Sequence, residues 1–154
     1  MKLSQADVDL LQKATSIASS RLIDSAVAAG KYVWAAFGDQ DGVSAGPSKA
    51  NCADWMRSRC DSDYQKRAIT QNFDASNANQ SIASFLVTRP PIGFIGKGWE
   101  SDMKDWRPEF LWQVGEPSTV CSEESPGVFS RLWTYGKVSL DCNSWVADIP
   151  VKTT

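Results

Sequence analysis

Histidine is absent from all 154 residues. That removes the Ser-His-Asp and Cys-His nucleophile systems and every His-ligated metal site. Acid-base work would have to fall to Asp, Glu, Tyr, Lys or Cys. Long apolar runs are also missing. None approaches the roughly 20 residues that a membrane span requires. An excess of one charge is lacking too, with 16 Lys and Arg against 18 Asp and Glu and a net charge of -2. Nothing in that balance favours nucleic acid or an anionic membrane surface as a partner. The first residues, "MKLSQADVDLLQ", turn polar and acidic at once and do not read as a signal peptide. A cytosolic chain or a mature secreted segment is the expectation. No internal repeat or low-complexity tract breaks the sequence.

What is present is a globular composition, 42% hydrophobic and 22% charged, at a length that suits one domain with a real core. Tryptophan is plentiful, at positions 34, 55, 99, 106, 112, 133 and 145. Four cysteines, Cys52, Cys60, Cys121 and Cys142, allow three disulfide pairings. Cys52 and Cys60 are close in sequence, and Cys121 and Cys142 flank a C-terminal hairpin, so the local pairing is the first expectation. Reduced thiols in a cytosolic protein are the plain alternative. A four-cysteine zinc site fits poorly, because its ligands come in closely spaced pairs, and no metal is expected. Disulfides would place the chain in an extracellular or secretory setting. Asn79-Gln80-Ser81 is a glycosylation sequon, a tripeptide that also arises by chance.

The pattern predicts one long helix over 4–29. Ser4 stands as N-cap with Asp7 three residues on, and Gly30 stands where the helix must stop. Val8, Leu11, Ala18 and Leu22 form an apolar stripe, widened by Leu10, Ala14 and Ile17. "YVWAAF", 32–37, reads as a strand buried on both faces, with Trp34 in the core. "GDQDGVSAGPSK" reads as loop and residues 48–60 as helix, with helix resuming through "DYQKRAI". Residues 83–88 read as a second buried strand with Phe85 inside, stopped by Pro90 and Pro91. The two strands are expected to lie parallel and adjacent. "IGFIGKGW" is Gly-rich and aromatic, but its "GKG" is no phosphate loop. A short helix around 105–113 closes at Gly115. "EPSTVCSEESPG" is loop, and "SWVADIPV" adds a last strand.

Residues 127–143, "GVFSRLWTYGKVSLDCN", read as a hairpin turning at Tyr135-Gly136. Alternation puts Phe129, Arg131, Trp133, Val138, Leu140 and Cys142 on the buried face. Arg131 fits there if its stem packs on Trp133 and its head reaches water or an acid. The fold class is α/β, with residues 1–91 as the α/β part. Residues 92–154 supply a Trp-rich loop, a short helix and a small antiparallel sheet.

Three stretches carry a likeness: "AAGKYVWAAFGDQDG", "SFLVTRPP" and "VFSRLWTYGKVSLDCN". The sequence resembles the C-terminal end of glycoside-hydrolase-like (β/α)8 barrel proteins, whose last βα units are followed by a small sheet. A full barrel needs about 250 residues, so this chain matches a partial barrel-like unit. The resemblance implies carbohydrate as partner, no cofactor, and the remainder of a barrel chain or a homo-oligomer as assembly. In such architectures functional groups follow the C-terminal ends of strands. There the sequence offers Asp39, Asp41 and Glu100 as carboxyl candidates for glycoside hydrolysis, which uses two carboxyls roughly 5 to 10 Å apart. Arg89, Trp99 and Trp106 are the candidate substrate contacts, Trp99 because it lies outside any apolar periodicity. The bland alternative is that "GDQDG" is a solvated turn and that the indoles pack in the core. Two functions stay open: a fragment or subunit of a glycan-hydrolysing barrel, or a stand-alone carbohydrate- or protein-binding module.

Overall fold

The computed structural model describes residues 4–31, 43–62, 64–66, 68–96 and 107–152. The first helix, α1 (Gln5–Ala28), starts where the capping pattern puts it. The Asp7 N–H donates to Ser4 Oγ at 3.2 Å, and Asp7 Oδ2 accepts from the Ser4 N–H at 3.0 Å. It ends at Gly30, whose φ of 69° lets the Lys31 N–H reach back to the Ala26 carbonyl at 2.9 Å. The expected apolar stripe is not buried. Leu10, Leu11, Ile17 and Leu22 are exposed, and Ile23 is the buried residue of this helix among those described. Capping is a local matter and was legible. Which face meets the core is decided by tertiary contacts.

Three short parallel strands follow: β1 (Val43–Ala45), β2 (Ile69–Asn72) and β3 (Gly93–Gly96), in the order β1-β2-β3. Val43 pairs with Thr70, and Ile69 with Gly93. Helix α2 (Cys52–Arg59) links the first two strands and α3 (Ala78–Thr88) links the last two. The chain thus makes two consecutive βαβ units. The described strands form an open sheet and close no barrel. The expected strand 32–37, with Trp34, lies outside the described residues. The expected strand 83–88 is corrected: those residues are the second half of α3. Every residue from Ser81 to Thr88 is buried, so exposure does not mark the helical period, which shows only in the spacing of Ser81, Ser84 and Thr88. The Ser84 and Thr88 hydroxyls are absorbed by the helix itself. Ser84 Oγ donates to the Ser81 carbonyl at 2.9 Å, and Thr88 Oγ1 to the Ser84 carbonyl at 2.8 Å. The proline stop was read correctly, but the element before it was not. The helix expected to resume through "DYQKRAI" is one 3-10 turn, Tyr64–Lys66, and then β2 begins.

The C-terminal part is a four-stranded antiparallel sheet, β4 (Ser122–Ser125), β5 (Val128–Trp133), β6 (Gly136–Asp141) and β7 (Val146–Asp148). The stretch expected as loop before the hairpin therefore contributes a strand. The hairpin turns at Thr134-Tyr135, one residue earlier than expected, because Trp133 pairs with Gly136. The pairing moves by two positions, an even shift, so the faces survive. Phe129, Arg131, Trp133, Val138, Leu140 and Cys142 are all buried, as alternation requires. In the β6–β7 turn Trp145 holds φ at 61°, unusual for a bulky residue. Two bonds, to α3 and to the residue capping it, fix it: Gln80 Nε2 donates to the Trp145 carbonyl at 2.8 Å, and Trp145 Nε1 to Asn77 Oδ1 at 3.0 Å.

Helix α3 is the middle layer. One side meets β2, where the buried Gln71 amide donates to the Ser81 carbonyl and to Ser84 Oγ. The other side packs on β5, β6 and β7. Ile82, Phe85, Leu86 and Val87 share one apolar cluster with Phe129, Trp133, Val138 and Leu140. The local disulfides are overturned. Cys52 bonds Cys142 and Cys60 bonds Cys121. Cys52 and Cys60 sit at opposite ends of α2, about 12 Å apart along the axis at 1.5 Å per residue. A disulfide spans at most about 7 Å between Cα atoms. Between the two bonds Arg57 grips Glu123 with two hydrogen bonds, Nη2 to Oε1 at 2.7 Å and Nε to Oε2 at 3.0 Å. Helix α2 is therefore fastened to the C-terminal sheet at three points.

Candidate functional site

A cleft of about 570 Å³ opens beside α3. One wall is α3 itself, with Ile82, Phe85, Leu86 and Arg89, and β3 adds Ile95. The opposite wall is 109–116, which begins as a 3-10 turn at Pro108–Leu111. That turn is what the short helix expected around 105–113 becomes among the described residues. Proline at the turn's start costs no backbone hydrogen bond there. The turn aims Phe110 at Phe73, the residue after β2, edge to face at 4.9 Å between centroids. Beyond it the chain is pinned along the hairpin tip. Tyr135 N–H donates to the Val114 carbonyl at 3.2 Å and Thr134 N–H to the Glu116 carbonyl at 2.9 Å. Gly115 bends at a φ of 82°, where an added Cβ would collide with Thr134.

Two features give the cleft its chemistry. Among the described residues Glu109 Oε2 is buried and accepts no hydrogen bond. An acceptor left dry and unpaired costs about 1–3 kcal/mol or more. Arg89, at the C-terminal end of α3, lines the same space. Its guanidinium lies over Phe85 at 5.9 Å and Trp133 at 6.0 Å. The Trp133 ring also carries Arg131, at 5.5 Å. Among the described residues, Arg131 is held by backbone carbonyls. Its Nε donates to the Thr119 carbonyl at 2.8 Å and its Nη1 to the Arg89 carbonyl. Burial, and then the positive charge of Arg89, push its pKa below the ordinary arginine value.

The C-terminal ends of the parallel strands form a second candidate region. β2 ends at Asn72, whose buried Oδ1 has no hydrogen-bond partner among the described residues. Asp74 follows, but both its oxygens are engaged. Oδ2 accepts from Asn77 Nδ2 and Oδ1 from the Ser76 N–H, each at 2.8 Å. The Asn77 bond leads in holding its pKa below the usual carboxylate value. Asp74 is a turn cap and is unsuited to donating a proton.

Of the residues singled out in sequence, the structure places Arg89 on the cleft wall. Asp39, Asp41, Trp99, Glu100 and Trp106 lie outside the described residues. Sequence reasoning missed Glu109, Glu116 and Phe110, and left Trp112 unassigned although it lines the cleft. Only the density of aromatics in "WRPEFLW" hinted at them. Among the described residues no cluster of His, Cys, Asp or Glu could hold a metal ion, and no helix is long and apolar enough to cross a membrane. No protein-family model matches the chain, and comparison with curated proteins finds no match.

Proposed function

We propose that this chain binds carbohydrate, as part of a barrel-like glycan-processing assembly. The observation that carries the reading is the cleft. Trp112 and Phe110 offer apolar rings, and Arg89 and Glu109 line the same space. A pyranose presents C–H faces to aromatic rings and hydroxyls to both kinds of polar group. The strand order supports the assembly. Sequential parallel strands with a helix in each crossover are the connectivity of neighbouring barrel units. The remainder of a barrel chain, or a second copy, would extend the sheet beyond β1 or β3. Two disulfides suit a secreted setting for such a protein. Hydrolysis would need a pair of carboxyls, with Glu109, Asp39, Asp41 and Glu100 as the candidates and Trp99 and Trp106 as further sugar platforms.

Calorimetric titration with a panel of neutral oligosaccharides tests the reading, with melting curves alongside. Wild type should bind at least one. Trp112→Ala and Arg89→Ala should each weaken binding about tenfold, as loss of an anchoring contact commonly does. Trp99→Ala should weaken binding while leaving the melting temperature nearly unchanged. A wild type that binds no glycan, or a Trp112→Ala variant that binds equally well, would overturn the proposal.

A further inference from the structure

We propose that Asn79 is an N-glycosylation site, modified before the chain folds around α3. Asn79-Gln80-Ser81 is the one Asn-x-Ser/Thr tripeptide in the sequence. The structure places its three residues very differently. Asn79 is exposed on the first turn of α3, so a glycan attached there projects away from the protein. Ser81 is buried at 4% exposure, and its hydroxyl accepts from the Asp74 N–H at 3.1 Å. The Ser81 carbonyl takes the Gln71 amide, and Gln80 is tied to the Trp145 carbonyl. An enzyme that must read the third-residue hydroxyl in an extended chain cannot reach it in the fold. The folded protein tolerates the product and hides the acceptor motif, which fixes the order of events.

The disulfide topology holds the necessary interval open. Both bonds span residue 79, and both wait for a late cysteine, Cys121 or Cys142. The strands that bury the other side of α3, β5 to β7, are later still than Cys121. At synthesis rates of roughly 5 to 20 residues per second, seconds pass between the arrival of Asn79 and its enclosure. Two disulfides also place the chain in an oxidising compartment, the setting in which the transfer takes place. In the transfer, Asn79 Nδ2 bonds to the anomeric carbon of an oligosaccharide carried on a polyprenyl diphosphate. The anomeric C–O bond breaks, the diphosphate leaves, and the amide loses one proton. No electron transfer is involved. The inference is independent of the glycan-binding proposal, since it concerns a covalent glycan on the opposite end of α3 from Arg89.

The test is translation of the full chain, behind a cleavable leader, into endoplasmic-reticulum microsomes. A mobility shift of one glycan is expected in most chains, removed by peptide N-glycosidase with conversion of Asn79 to Asp. Asn79→Gln should lose the shift and still form Cys52–Cys142 and Cys60–Cys121, which shows that the fold is intact. Purified oligosaccharyltransferase should modify the reduced, unfolded chain and leave the oxidised, folded chain untouched. Unmodified Asn79 in the microsomal product would overturn the site. Efficient transfer to the folded chain would overturn the order of events.

Discussion

Glu123 shows what one well-placed carboxylate does here. Two hydrogen bonds from Arg57, and one from the Gly127 N–H at 2.8 Å, pull its pKa from 4.5 to about 2. The Arg57 bonds are the largest cause. A folded pKa below the unfolded one means that the unfolded chain takes up the proton first as pH falls. The contribution of Glu123 is therefore complete above pH 4.5 and is lost as pH falls toward 2. Thermal melts from pH 7 to pH 2 should show wild type above Glu123→Gln at neutral pH, with the gap closing across that window. A gap that stays constant would refute the assignment. The pair is partly exposed, so added salt should narrow the gap at pH 7. At this scale the sequence was legible wherever the interaction was local. The Ser4–Asp7 cap needs only three residues of chain. Arg131 was read onto the right face, because alternation is a neighbour-to-neighbour property. Its true partners, the carbonyls of Thr119 and Arg89, come from other parts of the chain, and no side-chain pattern announces a carbonyl.

Helix α2 carries the clearest lesson among the elements. A helix running from about 48 to 60 and a Cys52–Cys60 bond exclude each other by length alone, so the sequence already rules out the local pairing and leaves two cross-pairings. The bonds that form close loops with separations of 90 and 61 residues. Loop-entropy arguments give each about 4 kcal/mol when formed alone, and less for the second to close. Replacing Cys52 and Cys142 together by Ala should therefore lower the stability to urea unfolding by several kcal/mol. Non-reducing peptide mapping should find Cys60 still joined to Cys121. A destabilisation below about 1 kcal/mol would mean that Arg57–Glu123 and apolar packing already hold α2 in place. Helix α3 was illegible for the opposite reason. Buried all round from Ser81 onward, it presents "SFLVT", a run that a strand buried on both faces would also present. The true strands, "VSA", "ITQN" and "GFIG", are three or four residues long and partly polar. They carry too little pattern to be found.

For the molecule as a whole, the class was legible and the placement was not. Parallel strands with helical crossovers and a closing antiparallel sheet follow from composition and punctuation. The positions shifted because pairing between segments tens of residues apart is set by the α3 core, which assembles from both halves of the chain. The cleft follows the same rule. Arg89 was visible beside two prolines, and Glu109 and Trp112 join it only when the C-terminal sheet docks on α3. The nesting of the two disulfides has a mechanical consequence. Cys60–Cys121 lies inside the span of Cys52–Cys142, so tension applied at the chain ends passes from Cys52 straight to Cys142. Everything between them is shielded: β2, α3, β3 and both walls of the cleft. A single molecule stretched between its termini should lengthen only by the chain outside that span. Reducing both bonds under load should release roughly 300 Å more, at about 3.3–3.6 Å for each residue of the 90-residue separation. Breaking the inner bond alone should release nothing. The cleft hangs in a slack loop and keeps its shape while the ends are tugged.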